Sequence, residues 1–348
     1  MIRHIIATSP KNNRGCRAAK PCRGVGQRPT ILLVLAACLL LFSLTGCGNN
    51  AQTPQEHKRT FLAMDTVVSL TAIGGDNAAQ ALDEAEARLT ELDAMADMHK
   101  ESSDISRLNA AAGKNAVILH PEIYSMLTAA VSCSRVTDGA WDITVAPLTK
   151  MWRDCATEGR LPTSAEINAA RALVGWEKIV LDDATESAYL PEKGMAVDLG
   201  GIAKGYALDE VRRIYAAHGV NDGLINMGSS SICAVGTHSG KPWRIGIRCP
   251  GGDDDEAEKI LSLTDTALAT SGDYERGWEI NGKWYHHIID PHTGYPADSG
   301  LRSVTVLINT DQAGAGMTAD ALSTAVLIMG QESAEPILAA QTARAVYE

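Results

Sequence analysis

The chain has 348 residues, enough for one large or two ordinary domains, and its composition is that of a folded protein: 45% apolar, 21% charged, with only two phenylalanines, so the core is mostly aliphatic. Its formal net charge is −11, and removing the seven basic residues of the first 29 (Arg3, Lys11, Arg14, Arg17, Lys20, Arg23, Arg28) takes it to −18. A body this acidic repels nucleic-acid phosphates, which sets a nucleic-acid-binding function aside.

Residues 1–46 have an export layout: the basic segment, the uncharged run "TILLVLAACLLLFS", then Leu44-Thr45-Gly46-Cys47, which looks like a lipobox. In that reading Cys47 becomes the first mature residue and carries lipid. The alternative is an uncleaved transmembrane anchor, but the apolar run is short for a bilayer span of roughly 20 residues. Residues 47–58 read as a polar tether and 59–348 as the folded domain. Both readings put the body on the outer side of the cytoplasmic membrane. Of the eight cysteines, Cys133, Cys155, Cys233 and Cys249 lie in that body; they show no CxxC spacing, and no pairing can be read from them.

"RTFLAMDTVVSLTAIG" (59–74) alternates and is β-rich, which predicts one strand. The next segment has Leu82, Ala85, Leu89 and Leu92 at helical spacing. Residues 121–139 open on proline and close on glycine, the punctuation of a helix. Thr163 and Glu166 form a capping box for a third helix. "EKIVLDD" and "GMAVDLG" read as strands, and 202–219 as a helix ending at Gly219. From 222 onward strands dominate, with Asn281-Gly282 as a hairpin signal. A last helix is predicted over 312–330, and "RAVYE" reads as a strand. Helices with consecutive strands imply an α+β fold with a largely antiparallel sheet flanked by helices.

Three stretches could carry chemistry. "AVDLGGIAKGYALDEV" (196–211) joins a predicted strand to a helix through glycines, a junction that exposes backbone amides and carbonyls to phosphate or metal. It lacks both GxGxxG and the P-loop pattern, which disfavours those nucleotide folds. Asp320 and Thr324 are four apart and share one face of the last helix; a carboxylate and a hydroxyl are hard ligands suited to Mg²⁺, though an Asp cap with a solvent-facing Thr would look the same. "HHIIDPHTGYP" (286–296) holds three histidines. His286 and His287 are adjacent, so in a strand they point to opposite faces, and His292 lies in turn chemistry; a shared zinc is disfavoured. One histidine facing a cleft could act as a general base.

The segments "AMDTVVSL", "SDISRLN", "DGAWDITVAPL", "VDLGGIAKGYALDEV", "INMGSSS", "TSGDYER", "HIIDPHTGYPA" and "TADALSTAVLIMG", in this order over residues 60–330, resemble the ApbE-type FAD:protein FMN transferase family. The resemblance implies a T-fold-like architecture and Mg²⁺-dependent transfer of FMN from FAD to a threonine or serine hydroxyl of an exported protein, with release of AMP. It implies Mg²⁺ on Asp320, Thr324 and the Gly201 carbonyl. It implies FAD contacts at Met64, Ala140, Trp141, Asp142, Asp198, Lys204 and Ile289, and a base at His287, one residue from an alternative at His286. Two departures stand out: Asp65 replaces the usual glycine, and His99 stands where an aromatic often precedes the SR-x-N segment. A FAD pyrophosphatase and a non-catalytic flavin-binding lipoprotein are the rival functions.

Overall fold

The structure is a computed structural model and describes residues 55–228, 230–248, 250 and 257–348. The predicted signal peptide, the lipobox at Cys47 and most of the tether lie outside the described residues. Gln55–Lys58, read above as tether, instead begin the first strand, β1 (Gln55–Ala63). The single strand expected over 59–74 is two: β1 turns back at Met64-Asp65 into β2 (Thr66–Gly74), with Ala63 paired to Thr66. Met64 and Asp65 both have positive φ, 54° and 56°, the two-residue hairpin turn whose twist matches its strands. No glycine or asparagine marks that turn, so periodicity alone runs straight through it.

The chain continues through α1 (Asp76–Ala96), α2 (Asp104–Ala110), β3 (Val117–Ile118), α3 (Pro121–Val136), α4 (Ala146–Thr157) and α5 (Ser164–Arg171). Leu82, Ala85, Leu89 and Leu92 form the buried face of α1, as their spacing required. The Thr163–Glu166 capping box is present in both directions. Next come β4 (Val180–Asp182), β5 (Ser187–Tyr189), α6 (Ala203–Ala217), β6 (Asp222–Met227), β7 (Ser231–Val235), β8 (Trp243–Arg248), β9 (Ala257–Leu263) and β10 (Thr266–Gly272). β11 (Gly277–Ile280) and β12 (Lys283–His286) form a hairpin through Asn281-Gly282, as read. β13 (Ser303–Asn309), α7 (Ala315–Met329), α8 (Gln331–Ala340) and β14 (Arg344–Tyr347) follow. The sequence reading missed α8, which Gly330 separates from α7.

The main sheet has the order β1-β2-β6-β7-β10-β13-β14, and every neighbouring pair is antiparallel. One face is covered by α1, α6 and α7, with Leu70, Leu89, Val211, Ile214, Val306 and Leu322 in the shared core. Alternate strand residues Ile232, Leu268 and Leu307 point the other way, onto Trp243, Ile245 and Leu263 of the β8–β9 ribbon. A second core joins α2 and α3 to the 195–203 segment through Leu108, Ile123, Leu127, Val197 and Leu199. Cys155 and Cys233 are buried and free, and Cys133 is free and half-buried. No helix among the described residues is long and apolar enough to cross a membrane.

"GMAVDLG" joins no ladder and begins and ends in turns, correcting the predicted strand. The Asn109 amide of α2 takes a strand neighbour's place: its Nδ2 donates to the Val197 carbonyl at 3.0 Å, and its Oδ1 accepts from Val197 N at 2.8 Å. Asp198 N donates to the Ile143 carbonyl. Backbone groups that a sheet would pair are thus satisfied one residue at a time.

Candidate active site

Two helices meet at a pair of glycines. A Cβ on Gly205 of α6 would lie 2.2 Å from the Gly316 carbonyl oxygen, and one on Gly316 of α7 would lie 2.3 Å from the Gly205 oxygen. Only glycines allow this approach. Asp209, one turn further along α6, accepts hydrogen bonds from Gly316 N (2.9 Å) and Met317 N (3.1 Å), and so caps the start of α7. Burial pushes the Asp209 carboxyl up, against those two N–H bonds.

The crossing brings the buried Asp320 of α7 against the first turn of α6. Gly205 N donates to Asp320 Oδ2 at 2.9 Å, and Ser231 Oγ donates to Oδ1 at 3.2 Å. Gly205 is the third residue of α6, so its N–H is one of the helix-start donors that have no acceptor within the helix, and Asp320 satisfies it. The Gly201 carbonyl, which precedes the helix, accepts no backbone hydrogen bond among the described residues. A Cβ on Gly201 would also lie 2.9 Å from the indole Nε1 of Trp141, so this position too requires glycine. Thr324 lies one turn beyond Asp320, and its Oγ1 sits 2.9 Å from Ser271 Oγ of β10.

This donor set fits the cation that the resemblance implies: one carboxylate, one hydroxyl and one backbone carbonyl, all hard oxygens, and the single negative charge leaves room for anionic phosphate oxygens. No group of three histidine, cysteine, aspartate or glutamate side chains that could hold a metal occurs among the described residues.

The histidines of 286–292 go three ways. His287, half-buried just past β12, lines the same cleft as Asp320. Its Nδ1 lies 3.0 Å from the Arg276 carbonyl. A carbonyl only accepts, so Nδ1 carries the proton and Nε2 keeps its lone pair. Burial lowers the His287 pKa to about 4, opposed by the Arg276 hydrogen bond, so the ring is neutral at pH 7. His286 is outside the cleft lining, and its Nε2 donates to the Ala297 carbonyl at 2.8 Å. His292 is exposed, its N bonded to Asp290 Oδ1. Asp290 spends its other oxygen on Thr293 Oγ1 and therefore builds the turn rather than orienting an imidazole.

Of the residues that the resemblance points to, Met64, Ala140, Trp141, Asp142, Asp198, Gly201, Lys204, His287, Ile289, Asp320 and Thr324 line this one open cleft of ≈ 410 Å³, and only the alternative base His286 does not. Met64 N donates to Asp93 Oδ1, whose carboxyl burial pushes up. Lys204 Nζ donates to the Gly200 carbonyl at 3.0 Å, and Asp198 Oδ1 accepts from Gly200 N at 2.8 Å. The Asp142 carboxylate is committed internally, to Thr144 N and Oγ1 (each 2.7 Å) and to Trp176 N (2.9 Å), so this residue meets the cleft with what those bonds leave free.

The family model for the ApbE family matches residues 64–347. The chain belongs to the ApbE family. A FAD:protein FMN transferase of Vibrio cholerae is 32% identical over 303 residues, 86% of this chain and 88% of that protein. One of Klebsiella pneumoniae is 36% identical over 62% of this chain and 66% of its own length. Among solved structures, the ApbE protein of Thermotoga maritima superposes with a TM-score of 0.75 at 30% identity, covering 84% of this chain and 94% of that one. The flavin transferase ApbE of Vibrio cholerae gives 0.73 at 27% identity, covering 84% and 93%.

Several residues that shape this ApbE-family cleft were not singled out from the sequence. Asn109, Asp209, Ser231, Ser271 and Ser323 act through bonds to residues far away in the chain, and Arg276 through its carbonyl to His287 across the β11–β12 hairpin. Asp209 sits in "ALDEV" as an ordinary helical acid, and only the crossing with α7 gives it a role. The glycine pair was legible in part, since Gly205 and Gly316 each stand inside predicted helices where glycine is otherwise unfavourable.

Proposed function

We propose that the protein transfers FMN from FAD to a threonine or serine hydroxyl of an exported partner protein and releases AMP. Relatives that match most of this chain carry the name FAD:protein FMN transferase. The observation that carries the reading is local: Gly201, whose carbonyl accepts no backbone hydrogen bond among the described residues, lines one cleft with Asp320, Thr324 and a neutral His287.

Asp320, Thr324 and Gly201 would hold Mg²⁺, which when bound neutralises charge on phosphate oxygens. His287 Nε2 accepts the proton of the incoming hydroxyl as its oxygen attacks the FMN phosphorus. The bond from that phosphorus to the AMP phosphate oxygen breaks, and AMP departs with the electron pair. General-base help of this kind is worth about 10²–10⁴ in rate. Lys204 adds positive charge beside the phosphates, and Met64, Trp141 and Ile289 supply apolar contact for the flavin nucleotide.

Co-expression with a candidate exported FMN-binding domain tests the reading, with flavin followed by in-gel fluorescence and intact mass. Wild-type protein flavinylates the acceptor, and His287→Ala leaves FAD binding intact while transfer falls about 10²-fold or more. Rapid AMP release from FAD without any acceptor would instead mark a hydrolase, and FAD held unchanged with Mg²⁺ and acceptor would mark a carrier.

We also propose that residues 1–46 direct export and that Cys47 carries lipid, holding the enzyme on the outer face of the cytoplasmic membrane. Cys47→Ser should move the enzyme from the membrane to the soluble fraction on centrifugation; an unchanged membrane fraction would count against the lipobox.

A further inference from the structure

We propose that Ser271 and Ser323 are positioning residues that fix the polarity of the Thr324 hydroxyl, so that it faces the cleft as a lone-pair donor only. The inference rests on the reading of Asp320 and Thr324 as cation ligands.

Three hydroxyls and one carbonyl form a chain whose direction its last link decides. The fully buried Ser323 Oγ donates to the Asp320 carbonyl at 2.9 Å, and a carbonyl can only accept. Ser323 has one proton, so its 2.8 Å contact with Ser271 Oγ must be filled by the Ser271 proton. Ser271 is then spent as a donor, and its 2.9 Å contact with Thr324 Oγ1 must be filled by the Thr324 proton. The Thr324 hydrogen is thereby drawn onto β10, and its lone pairs remain free.

The usual alternative is not taken. A helical threonine commonly donates to the carbonyl four residues back, as Thr90 and Thr128 do here. For Thr324 that carbonyl is Asp320 O, but the Thr324 hydroxyl is turned to Ser271 Oγ instead. A free hydroxyl rotor samples both senses, and one sense aims its hydrogen at a cation. The chain removes that sense before any ligand arrives, and preorganisation of this kind lowers what binding costs.

Mn²⁺ titrated into the full chain, with free ion read by electron paramagnetic resonance, tests this. Ser271→Ala and Ser323→Ala should each weaken Mn²⁺ binding about tenfold, the size of effect seen when groups that orient a metal ligand are removed. Metal-free FAD affinity and melting temperature should stay close to wild type. Both residues act through one link, so the double variant should bind no more weakly than Ser271→Ala alone. Wild-type affinity in both single variants overturns the proposal, and so does a multiplicative loss in the double variant. Wild-type protein that binds no Mn²⁺ would sink the cation reading itself, a different outcome. If the buried Ser323→Ala does not fold, the half-buried Ser271→Ala carries the test alone.

Discussion

His287 is defined by what its ring cannot do. With Nδ1 committed to the Arg276 carbonyl and its pKa lowered to about 4, it stays an acceptor at Nε2 well below the ordinary histidine range. The acid limb of kcat/KM for flavin transfer should therefore lie below pH 6.5, toward 4; a limb at 6.5 in initial-rate measurements would remove His287 as the titrating base. The same shift acts on folding. The unfolded chain takes up the proton near 6.5 and the fold only near 4, so the stability contributed by the neutral ring is lost as pH falls through that window. Asp65 makes a second case at this scale. Its φ of 56° is one that L-residues resist, at a cost of about 1–2 kcal/mol. Asp65→Gly should stabilise the protein by about 1 kcal/mol, measured as a raised melting midpoint, by relieving that strain.

Between elements, the contact that matters most is α6 on α7. Gly205→Ala would push a methyl into the Gly316 carbonyl, and the helices would have to separate. We expect a loss of about 3 kcal/mol in urea unfolding, the upper end of ordinary overpacking, together with weaker cation binding, because Asp320 is held by the Gly205 N–H. Wild-type stability in that variant would contradict the crossing. The long amphipathic helices were legible because one stripe of α1 reports its own burial. What periodicity missed has two causes. The Met64-Asp65 turn and the 194–200 segment are set by single backbone or side-chain bonds that leave no periodic trace, and α8 carries Pro336 within it, a residue that speaks against a helix.

Across the molecule, the cleft gathers residues from Met64 to Thr324, which no local pattern unites. Each piece was ambiguous alone, and it was their order along the chain that allowed them to be read together. The fold adds the connections: α2 clamps the Asp198 segment, α6 feeds α7, and β10 faces the hydroxyls of α7. The thiols of the body have a use in following this assembly. Cys155 and Cys233 sit sealed in separate packed regions, Cys155 on α4 and Cys233 within the sheet core, and burial holds the Cys233 thiol near about 12. Neither can meet an alkylating reagent until its own region opens. Their modification rates are thus two built-in clocks, one for the α4 side of the cleft and one for the sheet, that time breathing of each without any added label.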